Sequence, residues 1–339
     1  MVDPSSPKQP LRHAAPVVPD GCLAGTEVNP TRRMLFCAAF AGAVLPGTAA
    51  MAQTIDEPDV SGELDCTSDS LAAAAEDFGH IVYHAPAAMY RPGSVANVGP
   101  FVQWAGRRGH KIVVRGRGHS IYGRARVCDG VVLDMNTADR LEPPQSDRIT
   151  VDAGATWRSV VAVTRPRGLT PPVLPNYLDL SVGGTLSVGG VGGTTSRHGM
   201  LTDNVLVLEV VTGDGRLLAC SRESNREIFD AVCAGLGHCA VIVKATLKLM
   251  RAPERVRRHQ VFYGDLRQLI ADQTRAFADD RFDSLQGAIV PGPQGDWTFQ
   301  LEGALFHDAK SPPKDNETLS DLSDKRPAAK ISDVTIRSM

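Results

Sequence analysis

The chain has 339 residues, 36 Lys and Arg against 38 Asp and Glu, and a net charge of −2. That length holds one large domain or two ordinary ones, and 42% hydrophobic residues suffice for a sizeable core. The even charge balance gives no basic excess, so neither nucleic acid nor a membrane surface is expected as a partner.

The first readable element is Arg32-Arg33 followed by an apolar run over 34–45 and by Ala50-Met51-Ala52. The run is shorter than the roughly 20 residues that span a bilayer. Twin arginine, short apolar stretch and small-x-small motif come in the order of a Tat export signal. Residues 1–52 are therefore expected to be a twin-arginine signal peptide with a long leader. The mature protein is expected to be soluble and periplasmic or secreted. Seven cysteines occur without a CxxC pair, so no metal site is expected and each is read as a free thiol.

Residues 67–78 read as a helix capped by Ser or Thr and ended at Gly79. Residues 90–94 read as a turn, and 94–108 as a helix with Pro100 inside it. Strands are expected at 111–115, 130–134 and 148–152, then a helix at 154–164. A strand at 205–211 turns through Thr212-Gly213-Asp214-Gly215 into 216–220. A short helix at 228–236 and a strand at 241–249 follow. Beyond Pro253, strands at 254–262 and 297–302 flank a helix at 266–277, and 312–339 show no sustained apolar period. Strands outnumber helices, and hairpins mix with helical connections. That is the pattern of an α+β fold.

Two segments carry chemistry. Arg115-Gly116-Arg117-Gly118-His119-Ser120 follows a strand directly, and its glycines allow backbone N–H groups to surround an anion. It lacks the third glycine and the helix of a Rossmann fingerprint. Six glycines fall among the eleven residues 183–193. Such a density argues against a helix, and the interspersed Val and Leu argue against a linker. Close packing of bare backbone on a ligand is the remaining use.

Taken in order, the RGRGHS turn, VVLDM, VDAGATW, YLDLSVGGTLS, Arg197-His198-Gly199, VVTGDG and the GLG at 235–237 resemble the cytokinin dehydrogenases and their bacterial relatives. The resemblance runs over 91–249. It implies a two-part FAD-binding domain of the vanillyl-alcohol-oxidase (PCMH) type at 65–252. It also implies part of a substrate domain at 253–339. By matching position, Gly116, Arg117, Gly118 and Ser120 should line the flavin diphosphate. His119 should bond covalently to the 8α carbon of FAD, and Ser181, Ser187, Val191 and Ile242 should make further FAD contacts. A small-molecule substrate, an amine of the cytokinin kind or an alcohol, and an electron acceptor are the expected partners.

Three departures stand out. Where the family carries an aspartate base before Tyr-Leu, this chain has Asn176, whose amide is a very weak base. Arg124 stands where the family commonly has glutamine. Relatives also continue well past this sequence, so a truncated product is expected. A flavin-binding remnant without turnover and a sugar or lactone oxidase on the same FAD module are the competing expectations.

Overall fold

A computed structural model describes residues 55–292, 295–322 and 329–335. The twin-arginine segment lies outside the described residues. Among those described, no helix is long and apolar enough to cross a membrane.

The first layer is built from β1 (Gly62–Asp65), α1 (Ser68–Ala75), β2 (Ala88–Pro92), α2 (Val98–Arg107), β3 (Ile112–Arg115) and β4 (Val131–Asp134). Its sheet runs β1-β2-β4-β3, with β4 parallel to both β2 and β3. The four residues of β4, Val-Val-Leu-Asp, are buried throughout, as a strand covered on both faces must be. Pro100 sits in the first turn of α2, where its missing N–H breaks no helical bond. Residues 88–92 are a strand, not the expected turn. Pro92 ends the strand and masks it in the sequence. Tyr90 within it stacks on Phe101 at 3.9 Å and donates to the Ser61 carbonyl at 2.9 Å. Burial pushes its hydroxyl up to about 12. α1 stops at Ala75 because Glu76 is already extended, four residues before the end expected at Gly79.

The second layer comprises β5 (Arg148–Asp152), α3 (Trp157–Thr164), β6 (Leu169–Thr170), α4 (Val182–Val188), α5 (Thr195–His198), β7 (Val205–Thr212), β8 (Leu217–Cys220), α6 (Arg226–Val232), β9 (Ala240–Lys248) and β10 (Met250–Arg251). β5-β9-β7-β8 form an antiparallel sheet, and β6 pairs with β10. One apolar core runs through both layers, from Tyr90, Phe101 and Trp104 to Trp157, Leu208 and Phe229. α4 overturns the expectation that the glycine-rich run cannot be helical. Tertiary packing overrides propensity here: a Cβ on Gly183 would stand 2.7 Å from that of Ala153, so glycine lets the helix lie directly on the chain after β5. α6 ends four residues earlier than expected, because Ala234 and Leu236 adopt positive φ. Cys128 is disulfide-bonded rather than a free thiol.

The third layer holds β11 (Arg255–Tyr263), α7 (Leu266–Ala278), β12 (Ser284–Pro291), β13 (Trp297–His307), α8 (Asp315–Thr318) and β14 (Lys330–Thr335). Its antiparallel sheet, β12-β13-β11-β14, covers a separate core of Val261, Tyr263, Leu269, Phe282, Leu301 and Leu322. β14 lies in the polar stretch read as patternless. Backbone pairing holds it, together with ion pairs from Asp333 to Arg255 and Arg257. Arg197 in α5 joins this layer to the second by donating to the Phe282 carbonyl at 3.0 Å and the Asp280 carbonyl at 2.8 Å.

Gly154 marks the tightest join. A Cβ there would lie 1.9 Å from the Met135 carbonyl oxygen and 2.6 Å from that of Ala138. Gly154→Ala is expected to cost roughly 1–3 kcal/mol by overpacking. Urea unfolding measures it, and an unchanged midpoint would contradict the reading.

Candidate functional site

β3 ends at Arg115, and the chain turns at Gly116 toward the second layer. Asn136, just after β4, holds this turn by donating from Nδ2 to the Gly116 carbonyl at 3.0 Å. A Cβ on Gly116 would stand 2.1 Å from Ser181 Oγ. Only a bare backbone allows the two layers to meet there. Gly118 has φ +74°, the left-handed region that glycine tolerates. His119 follows, with Nδ1 3.0 Å from the Arg117 carbonyl. A carbonyl only accepts, so Nδ1 carries the proton in this arrangement and the lone pair of a neutral ring is on Nε2.

The opposing wall is the segment 175–191. Thr156 pairs with Ser181, and Trp157 in α3 donates to the Leu180 carbonyl at 3.2 Å. Its indole N–H reaches the buried Thr185 hydroxyl of α4 at 2.7 Å. Ser187 Oγ donates to the Gly183 carbonyl at 2.8 Å, and its own carbonyl accepts from Leu236 N at 2.8 Å. The GLG turn at 235–237 thus closes against the end of α4. Gly189 and Gly190 take positive φ and turn the chain away from it.

Between these walls lies a cavity of about 580 Å³, within the range of small-molecule sites. Gly116, Arg117, Gly118, His119, Ser120, Asn176, Ser181, Ser187, Val191 and Ile242 all line it. The structure therefore brings every candidate residue of the sequence analysis to one place, although they span more than a hundred positions. Arg124 lines it as well. No Asp or Glu does among the described residues. Two guanidinium groups, glycine backbone and small hydroxyls fit a diphosphate, while Val114, Leu180 and Met135 supply apolar wall for a flat ring system. These residues suit FAD.

Asn176 thus lines a cavity without a carboxylate among the described residues, and Asp179, three residues on, is not one of the lining residues. Arg158 binds it at 2.6 and 2.9 Å and holds its carboxyl below the usual range.

Sequence reasoning missed the two rings packed against His119. Phe78 stacks on the imidazole at 4.7 Å, and Tyr177 lies 5.1 Å away on a tilted plane. Phe78 is held by Asp77, which is 2% exposed and accepts from the N–H groups of Ile81 at 2.8 Å and Gly123 at 3.0 Å. Arg126, also buried, donates to the Glu76 carbonyl at 2.7 Å. An Asp-Phe-Gly after a helix gives no local sign of these partners some 45 residues away.

Comparison with known proteins adds the following. Residues 86–221 match the FAD binding domain family model. An uncharacterised oxidoreductase from the fasciation locus of Rhodococcoides fascians is 42% identical over 252 residues, 74% of this chain and 58% of that protein. Cytokinin dehydrogenase 2 of Arabidopsis thaliana is 34% identical over 258 residues, 74% of this chain and 50% of its own length. Cytokinin dehydrogenase 9 of Oryza sativa subsp. japonica is 36% identical over 229 residues, 65% and 44% respectively. The chain thus spans about half the length of these relatives.

The clamp at Asp77 has a pH signature. Burial alone raises the pKa of this carboxyl, but the backbone N–H groups of Ile81, Gly123, Val82 and Tyr122 outweigh it and hold the pKa below its ordinary value. A carboxylate depressed in the fold contributes stability in full above about pH 4, and that contribution is lost as pH falls through the folded pKa. Asp77→Asn turns an amide N–H toward a donor. It is expected to cost roughly 1–3 kcal/mol at pH 7, with the gap closing in acid. A gap independent of pH, followed by urea unfolding from pH 7 to 3, would contradict this.

Proposed function

We propose that this chain, a cytokinin dehydrogenase-like FAD-binding oxidoreductase by sequence, binds FAD in the cavity between the Gly116 turn and α4 and dehydrogenates a small amine or alcohol. The amine class is that of the N6-alkyl adenines, by relation to the cytokinin dehydrogenases. The observation that carries this reading is that the ten residues assigned by the family resemblance converge on one cavity lined by arginine and bare backbone and free of carboxylates among the described residues.

Bound FAD supplies the two-electron acceptor, and an external electron acceptor regenerates it. The protein supplies the rest. Gly116, Arg117, Gly118 and Ser120 on one wall would line the diphosphate, Arg117 bringing positive charge, and Ser181 and Ser187 on the other wall would make further FAD contacts. Val191 and Ile242 contribute apolar wall. His119 is the covalent anchor: it sits on the turn that lines the cavity, and its Nδ1 is tied to the Arg117 carbonyl. The first two layers make up the two-part FAD domain, and the third layer is the part of a substrate domain that this chain carries. The Arg32-Arg33 segment supports export by the twin-arginine route to the periplasm or medium. That route suits a protein that folds around a cytoplasmic cofactor before export.

A specific observation favours a second reading, a flavin-binding protein with little turnover. Asn176 lines the cavity where the family places its base, Asp179 is tied to Arg158, and among the described residues no lining carboxylate replaces them. General-base assistance contributes ~10²–10⁴-fold, so an amide at this position removes much of the rate.

Two outcomes follow. The purified protein is expected to be yellow, with flavin that acid precipitation does not release, and His119→Ala should make its flavin extractable. Extractable flavin in the unsubstituted protein would remove the covalent link. With an N6-alkyl adenine and an artificial electron acceptor, turnover is expected below about 1 s⁻¹, an ordinary enzyme rate. Asn176→Asp should raise it by roughly tenfold or more. Turnover at or above that rate in the unsubstituted chain would count against the second reading.

A further inference from the structure

Phe78 is more than half exposed, at 59%, and belongs to none of the apolar clusters of the fold. Burial therefore does not explain why this ring is fixed in place. Yet the loop that carries it is held by several bonds to the segment around His119. Glu76 pairs with Tyr83 as an isolated bridge. Phe78 N donates to the Ser120 carbonyl at 3.3 Å, so the residue next to His119 is bonded to the residue whose ring covers it. Buried Asp77 binds the N–H of Gly123 across the same junction, and buried Arg126 binds the Glu76 carbonyl. A Cβ on Gly79 would meet Ile121 at 3.0 Å, and one on Gly123 would meet Val82 at 2.9 Å. Residues 76–84 and 116–126 are thus one clamped unit, and what the clamp presents to His119 is a phenyl face within 28° of parallel to its imidazole.

We propose that Phe78 is a positioning residue for flavin attachment: its ring fixes the plane of the His119 imidazole so that the nucleophilic nitrogen is aimed into the cavity. Three restraints act together. The hydrogen bond from Nδ1 to the Arg117 carbonyl sets the rotation of the ring within its plane. Phe78 covers one side, and Tyr177 at 45° limits tilt from another direction. A His on a glycine turn would otherwise sample several rotamers, and a nucleophile held in one orientation reacts faster than one that must find it. The role rests on the covalent reading of His119 given above. Attachment forms one C–N bond between a His119 ring nitrogen and the 8α carbon, and it breaks one N–H and one C–H bond. The electron pair and the two protons pass by way of the isoalloxazine to an external two-electron oxidant such as dioxygen.

The test uses the full chain, prepared under flavin limitation, mixed with FAD in air and sampled over time. Gel filtration gives total bound flavin, and fluorescence of the acid-denatured protein band gives the attached fraction. Phe78→Ala is expected to bind FAD within about twofold of the unsubstituted protein but to attach it roughly tenfold or more slowly. Phe78→Tyr, which keeps the flat face, should attach at close to the unsubstituted rate. Phe78→Leu keeps apolar bulk without the face. It should be slow, and it stands in should the alanine variant not fold. Equal attachment rates across Ala, Leu and Tyr would overturn the proposal. So would loss of FAD binding in both Ala and Leu, which would make the ring part of the binding wall instead. Flavin that never becomes acid-resistant in the unsubstituted protein is a separate result: it removes the covalent reading, and this role falls with it.

Discussion

The site depends on one close approach. Two layers meet where Gly116 at the end of β3 faces Ser181 at the head of α4, and a single methyl group on that glycine would stand 2.1 Å from the serine hydroxyl. Gly183 repeats the arrangement against Ala153, and Gly192 against the Leu174 carbonyl, where a Cβ would lie 2.0 Å from the oxygen. Glycine here acts as thinness more than as flexibility. At Gly116 and Gly183 the absent side chain allows a backbone to form the wall of the cavity, and backbone with arginine nearby is what a diphosphate needs. The apolar core common to both layers holds the walls at that separation.

Much of this was legible in the residues. The RGRGHS turn and the glycine run each carry weak local signals, but their order along the chain is specific, and the cavity gathers them as that order implied. The α+β character followed from the hairpin at 212–215 and from strands that alternate or run apolar. What stayed hidden depended on distant partners. α4 is helical despite its glycines because it lies on Ala153, a contact that no propensity encodes. β2 was hidden by Pro92 and by its burial between two strands. β12 is held by ladder bonds, and β14 by ladder bonds and ion pairs, more than by an apolar pattern. The clamp of Asp77 and Arg126 around Phe78 joins residues some 45 positions apart, and nothing local in either stretch announces it.

The charge of the cavity carries two messages. Arg117 and Arg124, with no lining carboxylate among the described residues, favour an anionic cofactor such as FAD. The same lack leaves the position of the family's base to Asn176, an amide. Cofactor retention and proton removal are thus separable properties of this site. On the proposed reading, the residues that would serve the first line the cavity, and an amide stands where the group that would serve the second is expected.

The most direct test of the account is where FAD sits. Peptide mass spectrometry of the yellow protein after tryptic digestion locates any flavin along the chain. The account expects the peptide that contains His119 to carry the mass of one FAD, with the peptides that contain the other histidines unmodified. An unmodified His119 peptide in protein that still holds flavin, or a flavin mass on a peptide outside the cavity, would contradict it.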